Sequence, residues 1–404
     1  MRVTAKQDKK DQPVKILYFL SHPIQYFSPL LKELAGTVDL EVVYFSDSSM
    51  KGGFDKGFGK SVTWDVPLLD GYKYTFLKNY RAHKGLNNKF GDVWNPGAWK
   101  KVRKAGNAII MVNDWTYSSS WLVLLAAKLF GKKVWLRAEN PLNQELKKSR
   151  KVLMVKKIVF KHFLFRWLVD KCLYIGTQSK SFFKYYGVDE KRLVFTPYSV
   201  DNNYFNSIWM QSKAQLSQVR ERLKLPKEKK IVLFSGKYID KKRPLDLLQA
   251  FAALNSDQYF LVMVGDGALR PNMERFIADK DMQNVLLTGF INQSEMPYYY
   301  AIADVFVMCS GPGETWGLAV NEAMNFSKPV IVSDTCGSSA DLVQPGINGY
   351  VFEEGNINKL TAYLKQLLEN DELRNKMGAA SGSIIQNYSI QKIVNNIKQA
   401  VIAK

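Results

Sequence analysis

The sequence predicts an α/β protein of two Rossmann-like domains that face each other across a cleft. Three observations lead there. Short β-branched and aromatic runs alternate with helix-length amphipathic stretches, the rhythm restarts after a segment without strand character, and 404 residues exceed what one ordinary core organises. An apolar share of 46%, with 13% aromatic residues, is enough for two such cores.

Residues 1–12 are charged and poor in apolar side chains, and are expected to form a disordered tail. The first series then sets strands at 16–20, 40–45, 108–112, 134–137 and 173–175, with helices at 29–35, 121–130 and 180–186. Residues 51–99, rich in Gly, Trp, Tyr and Phe but without periodicity, are expected to be an elaborated loop region; the run 51–60 is not G-x-G-x-x-G and opens no helix. Asp114 reads as the cap of the following helix. This series makes a first domain over 13–205. A segment without strand character, 198–225, carries Asn, Ser and Gln before a polar helix and is expected to be the linker into the second. There, strands at 231–235, 259–264, 285–287, 305–308 and 330–332 alternate with helices at 244–254, 269–280, 294–300 and 318–326, giving a second domain over 206–385. Residues 386–404 form a last helix, expected to pack back toward the first domain. Ligands of open parallel sheets bind beyond the carboxyl ends of the strands, so the Gly-, Ser- and Asp-rich loops found there should line one cleft.

Charge is unevenly placed. Residues 1–210 hold 35 Lys and Arg against 17 Asp and Glu, whereas residues 211–404 hold 22 against 20. The first half therefore faces something anionic: a membrane leaflet, nucleic acid or an acidic substrate. Residues 147–171 concentrate nine cations against Asp170 alone. At helical spacing Val152, Val155, Val159 and Phe163 share one face, with Phe160 and Trp167 at its margin and Lys147, Arg150, Lys151, Lys157 and Lys161 opposite. That pattern suits a helix lying on an anionic membrane, which is the reading favoured, or one packed in the core with a solvated basic face. The longest apolar run, 121–127, is far short of the roughly 20 residues needed to span a bilayer. No apolar leader follows the basic start, so a cytoplasmic, peripherally membrane-associated protein is expected. Cys172, Cys309 and Cys336 lie far apart without C-x-x-C spacing and are expected to be reduced thiols. Asp279-Lys280-Asp281 ends a helix and reads as an exposed turn. Without a zinc, RNP-type or helix-turn-helix motif, nucleic acid is not expected as the partner.

The decisive stretch runs from Gly311 to Ala323, Gly-Pro-Gly-Glu-Thr-Trp-Gly-Leu-Ala-Val-Asn-Glu-Ala. It follows a buried strand and opens a helix whose first N–H groups and positive end suit a diphosphate, with Gly317 letting the ligand approach. Glu314, in the loop, can accept from sugar hydroxyls, and Glu322, over a turn into the helix, can take both hydroxyls of a ribose. Two such glutamates also arise as a solvated face, but a carboxylate in an otherwise apolar helix needs a partner. A second turn, Gly236-Lys237 through Lys242-Arg243-Pro244, joins a strand end to a helix start. Lys237 and Lys242, with Arg243 behind them, could neutralise a departing diphosphate, or could be a basic surface turn.

Taken in order, Gly236-Lys237 with Lys241-Lys242, Val264-Gly265-Asp266-Gly267, Leu287-Thr288-Gly289-Phe290, Glu314 to Glu322 and Gly346-Ile347-Asn348-Gly349-Tyr350 resemble the successive motifs of the retaining family-4 glycosyltransferases, which have the GT-B fold. The resemblance is dense from about 230 to 355 and thin before it. It implies transfer of a sugar from a nucleoside-diphosphate sugar to a saccharide or lipid-linked acceptor, with retention and with neither metal nor cofactor. By position, Lys237 and Lys242 would hold the diphosphate, Glu314 the donor sugar and Glu322 the ribose. Backbone groups at Gly317 and Leu318 would touch sugar and phosphate, Thr315 beside them would belong to the donor site, and Gly289 and Phe290 would lie near the base. In the family the leaving diphosphate assists deprotonation of the acceptor.

The first half departs from that pattern. A glycine-rich loop commonly follows the first strand, but here Ser21-His22-Pro23 stands in its place; where a cleft histidine is usual the chain reads Arg137-Ala138-Glu139-Asn140-Pro141. Glu139 or His22 could take that role. Equally, Glu139 could pair with Arg137 and His22 could cap its strand. A relative with other chemistry, such as sugar-nucleotide epimerisation or binding alone, would share the fold, and a basic nucleic-acid-binding protein would share the charge.

Overall fold

The computed structural model describes residues 14–403 apart from 53, 56, 82–85 and 87–88; the segment 1–12, read as a tail, lies outside the described residues. The first part of the chain supplies β1 (Lys15–Leu20), β2 (Asp39–Tyr44), an antiparallel hairpin of β3 (Phe54–Asp55) and β4 (Lys60–Ser61), then β5 (Lys73–Phe76), β6 (Ile109–Asn113), β7 (Val134–Ala138), β8 (Lys171–Tyr174) and β9 (Leu193–Phe195). All but the hairpin form one parallel sheet in the order β5-β2-β1-β6-β7-β8-β9. The second part supplies β10 (Lys230–Ser235), β11 (Tyr259–Val264), β12 (Val285–Gly289), β13 (Val305–Met308), β14 (Val330–Ser333) and β15 (Gly349–Phe352), parallel in the order β12-β11-β10-β13-β14-β15.

The central strands are apolar throughout because both faces of each sheet are covered. Successive side chains point to opposite faces, so Leu17 and Phe19 of β1 enter one core while Ile16, Tyr18 and Leu20 enter another. In β10, Ile231 and Leu233 likewise part from Val232 and Phe234. Both sheets change winding direction beside their first strand, between β1 and β6 and between β10 and β13, which opens a crevice at each carboxyl edge.

Several elements differ from the sequence expectation. The region 51–99 is not loop alone: it holds the hairpin, β5 and the start of a helix over Gly97–Arg103. β5 reads poorly because Lys-Tyr-Thr-Phe is a partly exposed edge strand without an apolar run. The 198–225 segment holds two helices rather than one, Asn202–Ser212 and Leu216–Arg222, and is no bare linker, since Phe205 and Val219 enter the second domain's core. β15 carries Gly349 as its first residue, where a Cβ would fall 1.9 Å from the Val330 carbonyl oxygen, so a close backbone approach explains a glycine in a strand. Asp114 does not cap the helix Ser118–Leu129; its carboxylate accepts from the Thr116 N–H at 2.7 Å and closes the turn before it.

The basic segment is helical over Arg150–Ile158 and continues as a π-helix over Val159–Leu168. The wider turn changes the register, so Phe160, Leu164, Phe165 and Leu168 face inward. Val152, Val155, Val159 and Phe163, the face read from periodicity, are exposed. The terminal helix Ile390–Ile402 packs Ile393, Val394 and Ile397 against Leu30, Leu31 and Leu34 of the helix Ser28–Ala35, on the first sheet. The three cysteines are free and buried.

Candidate functional site

At the crevice of the second sheet the loops after β10 and β13 face each other. The first begins at Gly236, whose N–H donates to the Val264 carbonyl at 2.9 Å. Gly265, at φ +146°, leaves no room for a side chain: a Cβ there would lie 1.9 Å from the Gly236 carbonyl oxygen. Glycine thus lets the ends of β10 and β11 close together and aims the next residue, Lys237, into the crevice. Lys242 pairs directly with the Glu314 carboxylate, and Lys241 stands 3.8 Å from it. Arg243 instead binds Asp246 at 2.6 Å and Glu354 at 3.2 Å, caps the helix Pro244–Ala252 and leaves the crevice to the lysines.

The loop after β13 ends at Gly317, the N-cap of the helix Leu318–Asn325, with φ +94°. A Cβ on Gly317 would meet Met308 Sδ at 2.6 Å and Cys336 Sγ at 2.8 Å, so both conformation and space demand glycine. Glu314 is buried before this turn. Burial pushes its carboxyl up, but the charges of Lys242 and Lys241 outweigh that and hold it below the usual range. Gln144, from the short helix Leu142–Glu145 of the first domain, clamps the loop: its Nε2 donates to the Glu314 carbonyl at 2.9 Å and the Thr335 carbonyl at 3.2 Å. Its Oε1 accepts from the Gly313 N–H at 3.0 Å.

Glu322 is buried one turn into the helix. Tyr300 Oη donates to it at 2.6 Å and Gln293 Nε2 at 3.3 Å, and the Tyr26 hydroxyl reaches it from the first domain. These partners are neutral, so burial dominates and pushes its carboxyl up to about 7.

A cavity of about 460 Å³ between the domains joins these groups. Of the residues singled out in the sequence, Gly236, Lys237, Lys242, Gly265, Phe290, Glu314, Thr315, Gly317, Leu318 and Glu322 line it. Gly289 lies just behind, its carbonyl accepting from the Gly265 N–H at 3.0 Å. His22 and Glu139 are not among the lining residues. Glu139 pairs with Arg137 at 2.9 Å and with the Tyr198 hydroxyl; the buried Arg137 guanidinium, 4.9 Å from the Phe27 ring centre and 4.8 Å from that of Tyr198, is what draws it away. His22 Nδ1 lies 3.0 Å from Ser21 Oγ, and burial pushes its imidazole down to about 4. Sequence reasoning missed Gln144, Tyr26, Tyr300 and Gln293. The one signal for Tyr26, Tyr300 and Gln293 was the demand of Glu322 for a partner, which does not say where in the chain that partner lies; nothing in the sequence signalled Gln144.

The cavity thus brings together cations with helix N–H groups, one buried carboxylate with neutral partners, and a second carboxylate held by lysine. The model described as glycosyl transferases group 1 matches residues 217–384. An uncharacterized glycosyltransferase of Methanocaldococcus jannaschii is 26% identical over 167 residues, 41% of this chain and 46% of its own length. A poly(ribitol-phosphate) alpha-N-acetylglucosaminyltransferase of Staphylococcus aureus is 30% identical over 133 residues, 32% of this chain and 26% of its own. The similarity thus spans less than half the length of these relatives. The structure of HepE from Anabaena in complex with UDP and glucose superposes with a TM-score of 0.74 at 17% identity, covering 97% of this chain and 100% of that one. The fold is matched over nearly the whole length and the motifs in the second half, so the chain has the GT-B fold and its residues 217–384 are similar to the glycosyl transferases group 1.

Proposed function

We propose that the chain transfers a sugar from a nucleoside-diphosphate sugar to a hydroxyl of a saccharide or lipid-linked acceptor, with retention of anomeric configuration and without a metal. The observation that carries this reading is the single cavity in which the Glu314–Lys242 pair and Glu322 flank a helix opened by Gly317. Glu322 accepts from the ribose hydroxyls, Glu314 from the donor sugar hydroxyls, and Phe290 lies by the base. As the bond from the sugar C1 to the diphosphate breaks, its electron pair passes to the leaving oxygen. Lys237, Lys242 and the N–H groups at the start of Leu318–Asn325 stabilise that charge. The acceptor oxygen bonds to C1 on the same face and its proton goes to the departing diphosphate. UDP and glucose in the similar HepE structure support uridine diphosphate sugars as the first donors to try.

The exposed side of the first domain supports an acceptor held at an anionic membrane. Phe163 stacks on Trp121 and lies 5.2 Å from Trp167, Leu129 is 67% exposed and Ile158 59%, and Lys151, Lys157, Lys161 and Arg166 stand exposed among them. Apolar and aromatic side chains bordered by cations suit a headgroup layer. Among the described residues no helix is long and apolar enough to cross a membrane.

The direct test incubates the protein with sugar nucleotides and candidate acceptors and follows both free nucleoside diphosphate and a new glycoside. Both should appear together, and Glu314→Gln should lower turnover about a hundredfold while changing donor affinity much less. Nucleotide release without a glycoside would reject the transfer.

A further inference from the structure

The hairpin of β3 and β4 belongs to the first domain but is seated on the second. Lys60 Nζ is 2.9 Å from Asp266 Oδ2, Asn292 Nδ2 donates to the Thr63 carbonyl at 2.9 Å, and the Phe58 ring meets Phe290 edge-on at 4.9 Å. A Cβ on Gly267 would fall 2.7 Å from the Gly57 carbonyl oxygen, so the two backbones touch. At the centre of this contact Asp55 places both carboxylate oxygens 2.8 Å from Lys237 Nζ. The carboxylate is aimed by its own turn, since Asp55 Oδ1 also accepts from the Gly57 N–H at 2.8 Å and the Phe58 N–H at 3.2 Å. Asp55, Phe58 and Lys237 all line the cavity.

Two anionic oxygens on one ammonium group are what a diphosphate also presents. We propose that Asp55 is an affinity-setting residue of the donor site: it occupies the diphosphate's place on Lys237, and a nucleoside diphosphate binds by displacing it. The inference rests on the reading of Lys237 as a diphosphate ligand. Asp55 acts as a tethered competitor, so apparent donor affinity is reduced by the fraction of molecules in which Lys237 is occupied. Because Asp55 reaches Lys237 only from the first domain, displacement also releases one of the two ion pairs that, among the described residues, fasten the hairpin, Lys60–Asp266 being the other.

The test is calorimetric titration of the full chain with UDP, GDP and ADP, and with the matching nucleosides, in wild type, Asp55→Asn, Lys237→Met and the double variant. Asparagine keeps the oxygen that accepts from Gly57 and Phe58 and loses only the charge, and thermal melting checks that each variant folds. Asp55→Asn should bind the preferred nucleoside diphosphate about fivefold tighter, with no gain for the nucleoside and none over Lys237→Met in the double variant. Wild-type binding of a nucleotide that Asp55→Asn leaves equal or weaker would overturn the proposal and leave the donor site standing. An equal gain for nucleoside and nucleotide would overturn it too, since the hairpin would then act by bulk. Absence of binding by every nucleotide to every variant would overturn the donor-site reading, and the proposal with it.

Discussion

Glu322 shows how burial sets the charge of a single carboxylate. Its donors, Tyr300, Gln293 and Tyr26, are uncharged, so its carboxyl is raised from 4.5 to about 7 and the folded chain binds a proton there more readily than the unfolded chain. The stability this contributes is full below about pH 4.5 and is lost as pH rises through about 7. Glu322→Gln should remove that loss, so the melting temperature of wild type relative to the variant falls between about pH 5 and about pH 8, measured by circular dichroism. A flat difference would mean that Glu322 does not titrate there. On the proposed donor-site reading, nucleotide binding runs the other way: the ionised carboxylate is the stronger acceptor for two ribose hydroxyls, so wild-type nucleotide affinity should rise over the same range and that of Glu322→Gln should not. Glu314 is the contrast, a buried carboxylate kept ionised by Lys242 and Lys241.

At the scale of elements, the loop 311–317 owes its shape to groups from three places. Gly317 supplies the left-handed turn, Met308 and Cys336 leave no space for a side chain, and Gln144 fastens the loop from the other domain. Gln144→Leu keeps the volume and removes these hydrogen bonds. Turnover should fall about tenfold, roughly 1.4 kcal/mol, with nucleotide affinity changed less than about threefold. An unchanged turnover would show that Glu314 is placed by its own loop. This division also explains what was legible in the sequence. The pieces from β10 to Lys242 and from β13 to Glu322 are contiguous strand–loop–helix units, so glycine positions and periodicity locate Lys237, Lys242, Glu314 and Glu322 directly. Tyr26, Asp55 and Gln144 come from first-domain segments whose local pattern says nothing of the surface they meet. Glu139 and His22 were visible as strand-end residues, but the buried Arg137 cation and the Ser21 hydroxyl engage them. The basic helix was visible too, while its passage into a π-helix, which decides which apolar residues face out, was not.

At the scale of the whole molecule, charge and architecture divide the work. The nearly neutral second domain carries the groups read as the donor site, and the basic first domain presents cations with exposed Trp167, Phe163 and Leu129. Each cation near an anionic surface adds about 1 kcal/mol and is screened by salt. The protein should float with phosphatidylserine-containing vesicles at low ionic strength, less so in about 0.5 M salt, and Phe163→Glu with Trp167→Glu should abolish flotation without lowering the melting temperature. No binding to such vesicles at low salt would refute the membrane reading. The central claim, that the cavity between the domains is a nucleotide-sugar donor site built on Glu314 and Glu322, is tested most directly by calorimetry with UDP, GDP, ADP and their sugars on wild type and Glu322→Ala. One nucleotide series should bind the wild type, and Glu322→Ala should weaken it by about 1.5 to 3 kcal/mol through loss of charged hydrogen bonds to the ribose. Binding of none of them, or equal binding by both proteins, would contradict it.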